Sequence, residues 1–140
     1  MNLDGVVADA NVLLSAVVGK AALRVFTDFS VPVHTSQYNA DEVLEYLPIM
    51  AKKYDLPDDL VLLQWHLLPM RVYQQYEYIL HLDVARQALL KRDPDDAHPL
   101  ALAMELDLPL WTNDKDLSGH GVECLTTAVL ISLLSRLQSR

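Results

Sequence analysis

The chain has 140 residues, 51% hydrophobic and 21% charged, the profile of one folded domain over residues 1–140 and not of a disordered segment. A formal net charge of −8 argues against a nucleic-acid binder that works through lysine and arginine alone, and a single cysteine, Cys124, excludes an internal disulfide. The apolar stretches "NVLLSAVVG" and "TAVLISLLSRL" are too short to span a bilayer, and no basic segment precedes the first, so the expectation is a cytoplasmic chain with no membrane partner.

"LDGVVAD" is an apolar run that ends in an acid, and predicts a buried first strand over residues 3–9. Helical spacing follows through Val12, Leu13, Ala16 and Val17, with a second helical piece over about 20–29. "VPVHTS" predicts a second strand, with Ser36 or Asn39 available as a cap. Residues 40–54 read as a helix that Pro48 bends or divides. "LPDD" opens another, with Asp58 and Asp59 favourable near its start. "MRVYQQ" is either a strand or an extended linker, and 76–90 are helical. "RDPDD" is a turn and capping cluster ahead of the small-residue helix "AHPLALAMEL". "LPLWT" is a strand, "NDKDLSGHG" a loop, "VECLT" a strand and 126–138 the last helix. Strands alternating with helices predict an α/β fold, a three-layer α/β/α sandwich around a mostly parallel sheet.

Four of these strand-to-helix junctions or first helical turns carry acids: Asp9, Glu42, Asp96, and Asp114 with Asp116. A parallel sheet gathers such ends on one side of the molecule, where the carboxylates repel one another unless a cation joins them. Hard divalent cations prefer oxygen ligands, so the pattern points to a hydrolytic Mg2+ or Mn2+ site. Each acid also has a plainer reading. Asp9 suits helix capping toward Leu13, Glu42 and Glu45 share a solvated helix face, and the acids of "RDPDD" complement a helix dipole. Asn11 and Ser15 add polar groups beside Asp9. Lys115 either pairs with a flanking aspartate or contacts a phosphate. Cys124 reads as core, and His98 as a packing residue more than a substrate contact. The five histidines show no HExxH pattern, and no GxGxxG, Walker or GxSxG motif is present. "DAN" at residues 9–11 lacks the second aspartate of a haloacid-dehalogenase-like nucleophile motif.

The ordered set resembles a PIN domain over nearly the whole chain. "VVADANVLLSA" resembles the family's opening strand and Asp-x-Asn turn, "ADEVLEYL" the helix with the second acid, and "DPDDAHPLALAMELDLPLWTNDKDL" the third acid, its helix, the next strand and the last acidic turn. The resemblance implies a Mg2+- or Mn2+-dependent endoribonuclease that leaves a 5′-phosphate and a 3′-hydroxyl. It implies the acidic quartet Asp9, Glu42, Asp96 and Asp114 as catalytic metal ligands, Asp116 as a further metal ligand, and Asn11, Ser15 and Thr112 as supporting groups. Glu45 competes with Glu42 if the register shifts by a turn. Many prokaryotic members are VapC-type toxins, which implies an RNA substrate and an antitoxin protein as partners. The alternative is a PIN-like binding module with little catalysis, whose acidic surface holds a basic protein partner. The segment over about 55–90 is long and rich in Leu and Tyr. Trp65, Tyr73, Tyr76 and Tyr78 serve there as core or dimer surface, or stack on unpaired bases. Apolar surplus on the last helix, from Val129 to Leu137, suits a homodimer or a covered sheet.

Overall fold

Among the residues described by the computed structural model, 3–90 and 94–139, five short strands alternate with seven α-helices. The strands are β1 (Val6–Ala8), β2 (Val33–Ser36), β3 (Arg71–Tyr73), β4 (Leu110–Trp111) and β5 (Cys124–Leu125). The helices are α1 (Ala10–Val17), α2 (Leu23–Thr27), α3 (Gln37–Lys53), α4 (Asp58–Leu67), α5 (Ile79–Ala88), α6 (Ala97–Leu106) and α7 (Thr127–Gln138). All strand pairs are parallel, in the order β3-β2-β1-β4-β5. This is the α/β sandwich that the alternation of elements predicted.

Side chains alternate across a strand, so each strand feeds both faces of the sheet. Val6 and Ala8 enter one core with α1, α3, α4 and α7, while Val7 enters the other with α5 and α6. The two residues of β4 divide in the same way, Trp111 to the first core and Leu110 to the second. Because both faces are covered, the central strands β1 and β4 are continuous apolar runs and not alternating ones.

The chain leaves β1 for β2 on one side and returns to β4 on the other. The strand order therefore reverses at β1/β4, which opens a crevice beyond the carboxyl ends of those two strands. Sheet parallelism places the ends of β1, β2 and β4 on that edge, together with the start of α3. The start of α6 comes to the same edge, because α6 runs back to feed β4.

Several boundaries differ from expectation. Helix α3 starts at Gln37, because Ser36 caps it by accepting the Asn39 N–H at 3.0 Å. It runs unbroken through Pro48, which is exposed. "MRVYQQ" resolves as the edge strand β3. The helix expected over 76–90 divides into a 3-10 turn, Gln75–Glu77, and α5, at Tyr78. Trp65, Tyr73 and Tyr78 are core residues, whereas Tyr76 is exposed. On α7, Leu130 and Leu134 are buried against the sheet and Val129 is exposed. No helix among the described residues is long and apolar enough to cross a membrane.

Candidate functional site

Asp9 follows β1 at the switch point and is only 7% exposed. Its extended backbone and its position before α1 make it the N-cap: one carboxylate oxygen accepts the Val12 N–H at 3.0 Å. The other oxygen accepts the hydroxyl of Thr112, which follows β4. Capping and site chemistry are thus not alternatives here, since a carboxylate has oxygens for both. Burial raises the Asp9 pKa above its ordinary value. The Thr112 and Val12 hydrogen bonds oppose the rise, and the nearby charge of Asp114 adds to it. No lysine or arginine among the described residues forms an ion pair with Asp9.

Thr112 is the joint between two of the acids. It donates to Asp9 and its oxygen accepts the Asp114 N–H at 3.0 Å. Asp114 in turn caps the 3-10 turn Lys115–Leu117 by accepting the Asp116 N–H at 2.9 Å. Asp114 is half-buried, and Asp116 and Asn11 are exposed. Ser15 is half-buried one turn beyond Asn11 on α1.

The other acids stand farther along the same edge. Glu42 is half-buried on α3, and the Asn39 amide approaches it at 3.4 Å. Glu45 is exposed one turn on. Asp96 is half-buried at the N-cap of α6, after the 3-10 turn Pro94–Asp96, and Asp93 lies outside the described residues. Tyr38, Asp41, Glu42, Glu45, Tyr46 and Asp95 line an open cleft of about 350 Å³. No three acidic, histidine or cysteine side chains among the described residues converge into a closed ion cage. The donors suit a hard cation nonetheless. Mg2+ commonly takes one or two carboxylates and fills its remaining positions with water and phosphate oxygen. Asp9 is a buried carboxylate with no basic ion-pair partner among the described residues, and a second carboxylate stands near enough to perturb it.

Three residues gain roles that the sequence left open or did not show. Tyr38 donates its hydroxyl to Asp95 and stacks on His98, with ring centroids 3.8 Å apart and planes 3° from parallel. The Tyr78 hydroxyl is hydrogen-bonded to Nδ1 of His98 at 2.8 Å. His98 is buried, and that burial lowers its pKa. Tyr38 lies four residues before Glu42 on one helix face, a spacing visible in the sequence. Its partners, 57 and 60 positions away, were not. Cys124 is half-buried, and burial raises its thiol pKa, which disfavours the reactive thiolate.

A parallel sheet with a buried aspartate at its switch point and further acids along the same edge defines a class of α/β domain. Within that class, the PIN domain family model matches residues 7–135, and the chain belongs to the PIN domain family. Two solved structures share the fold. One is from a toxin–antitoxin complex of Klebsiella pneumoniae, 21% identical, with a TM-score of 0.63, covering 88% of this chain and 98% of that one. The other is PAE2754 from Pyrobaculum aerophilum, 17% identical, with a TM-score of 0.70, covering 97% of this chain and 90% of that one. No curated protein matches the chain.

Proposed function

We propose that the protein is a divalent-metal-dependent endoribonuclease, with Asp9, Glu42, Asp96 and Asp114 holding Mg2+ or Mn2+ and Asp116 as an added ligand. The observation that carries this reading is Asp9, a buried carboxylate at the β1/β4 switch point, with a second carboxylate near it and, among the described residues, no lysine or arginine in an ion pair with it. When bound, the cation polarises a phosphoryl oxygen and lowers the pKa of the attacking water. The chain's own residues do the rest. The Val12 N–H and the Thr112 hydroxyl aim the two oxygens of Asp9, and Thr112 fixes the backbone of Asp114. Asn11 and Ser15, on the first turns of α1, supply polar groups at the same edge. Asp9 and Asp96 are the principal ligands, and Glu42 and Asp114 complete the site, directly or through water, one of them orienting the attacking water. In-line attack leaves a 5′-phosphate and a 3′-hydroxyl.

The biological role that fits is the toxin of a toxin–antitoxin pair, with RNA as substrate and an antitoxin as partner. Membership of the PIN family and the likeness to a chain from a toxin–antitoxin complex support it. A second reading, a binding module for a basic protein partner, draws on the cleft, whose lining among the described residues has four acids and no lysine or arginine.

The test is to incubate the protein with single-stranded and hairpin RNAs in Mg2+, Mn2+ or EDTA, beside Asp96→Asn. Metal-dependent cleavage that the variant lacks supports the nuclease. Products ending in 2′,3′-cyclic phosphate contradict the mechanism. Metal binding without turnover on any RNA favours the binding module.

A further inference from the structure

Asp96, on the reading above, holds the cation, but the groups that fix its surroundings come from elsewhere in the chain. Its preceding neighbour, Asp95, accepts the Tyr38 hydroxyl. Two residues on, His98 is stacked face to face on the Tyr38 ring and bonded to the Tyr78 hydroxyl at the start of α5. One side chain from α3 thus grips the Asp96 turn on both sides. That same side chain sits one helical turn before Glu42, and Tyr38, Glu42 and Asp95 line one cleft. Any movement of the turn relative to α3 would break the hydroxyl bond or unstack the rings.

We propose that Tyr38 is a positioning residue that locks the turn carrying Asp96 to the helix carrying Glu42, and so sets the affinity of the site for its divalent cation. The inference rests on the metal-site reading of the previous subsection. Groups that orient metal ligands without touching the metal typically govern 10–100-fold of metal affinity, and an aromatic hydroxyl with a stacked ring supplies both direction and stiffness. A purely structural role is a poor account of Tyr38, because the side chain is 36% exposed and belongs to neither apolar core.

The experiment is a Mn2+ titration of the full chain, followed by electron paramagnetic resonance of the free ion. It compares wild type, Tyr38→Phe, Asp95→Ala, the double variant and Asp96→Asn, with thermal melts in EDTA. Tyr38→Phe keeps the ring and removes the tie; Asp95→Ala removes the acceptor from an exposed residue, and serves alone if Tyr38→Phe does not fold. Each should weaken Mn2+ binding by roughly tenfold. The double variant should be no weaker than the worse single one, since both cut the same bond. Melting in EDTA should move by no more than about 4 °C. Cleavage should return toward the wild-type rate as Mn2+ is raised. Tyr38→Phe binding Mn2+ as wild type does would overturn the proposal. A double variant whose loss multiplies the two single losses would also overturn it, because Asp95 would then meet the cation independently. If wild type and Asp96→Asn bind Mn2+ alike, the metal site itself is wrongly assigned, and the positioning role falls with it.

Discussion

Asp9 and Glu42 follow neighbouring parallel strands, yet their surroundings differ. Asp9 is 7% exposed, and both its oxygens are held, one by the backbone of α1 and one by a hydroxyl from β4. Glu42 stands one turn into α3, half-buried at the rim of an open cleft, with the Asn39 amide at 3.4 Å. The β1/β4 side is held by a backbone N–H and a hydroxyl, whereas the α3 side carries a longer carboxylate side chain at the rim of an open cleft. An edge of this kind suits a ligand that anchors on the rigid side and is completed on the adaptable one.

The most severe way to break the comparison is to neutralise an acid on each side. Asp9→Asn and Asp96→Asn should each lower metal-dependent RNA cleavage by roughly 100-fold or more, beyond the usual cost of losing a merely orienting group. They should separate in stability. Asp9 has a raised folded pKa, so its ionised form opposes folding above that pKa, and the cost is relieved as pH falls through it. Asp9→Asn should therefore melt above wild type in EDTA at pH 7, and a lower melting temperature would refute this account of Asp9.

Thr112→Val tests the rigid side without touching a charge. It keeps the shape but takes the Thr112 hydroxyl from one oxygen of Asp9, which keeps the Val12 N–H on the other, and leaves the Asp114 N–H without that acceptor. Loss of a buried hydrogen-bond partner should cost about 1–3 kcal/mol in urea unfolding. Metal affinity should fall about 10–100-fold by calorimetry. Wild-type affinity would show that Asp9 is held by the backbone alone.

On the adaptable side, Glu42→Gln should reduce cleavage roughly tenfold, the lower range for a group that orients or shares a metal. Glu45→Gln, exposed one turn on, should leave it unchanged. The opposite ranking in steady-state kinetics would move the ligand by one helical turn.

A smaller effect concerns pH. Burial first, then the charge of Arg71, lowers the pKa of His34 below its ordinary 6.5. Burial first, then Arg86, lowers that of His98, with Asp95 opposing. Between 6.5 and these lowered values the unfolded chain binds more protons than the folded one. Stability from both groups is thus complete above about pH 6.5 and declines as pH falls through the folded pKa values. Thermal melts in EDTA from pH 8 to 5 should show this decline, and His34→Gln or His98→Gln should flatten it.

Much of this molecule is local in origin and was legible for that reason. An apolar run that ends in an acid makes β1 and its cap, because the Asp9 oxygen reaches an N–H only three residues on. Ser36 starts α3 in the same way, at a boundary that periodicity alone placed three residues late. The acids stood out because each falls at a strand-to-helix junction or in a first helical turn, and a parallel sheet brings such ends to one edge, although no three of them converge among the described residues. The edge strand β3 was ambiguous, since three residues with two exposed carry no clear period.

The sequence by itself determined the alternation of elements, the parallel sheet and the edge on which the acids stand, since these follow from nearest-neighbour caps and hydrophobic period. Only the tertiary structure decided which groups aim those acids. Thr112 meets Asp9 across 103 residues, and Tyr38 meets Asp95 across 57. Such pairings depend on how strands order and helices pack, which no local pattern specifies, because a hydroxyl at one position carries no record of the carboxylate that folding will bring to it.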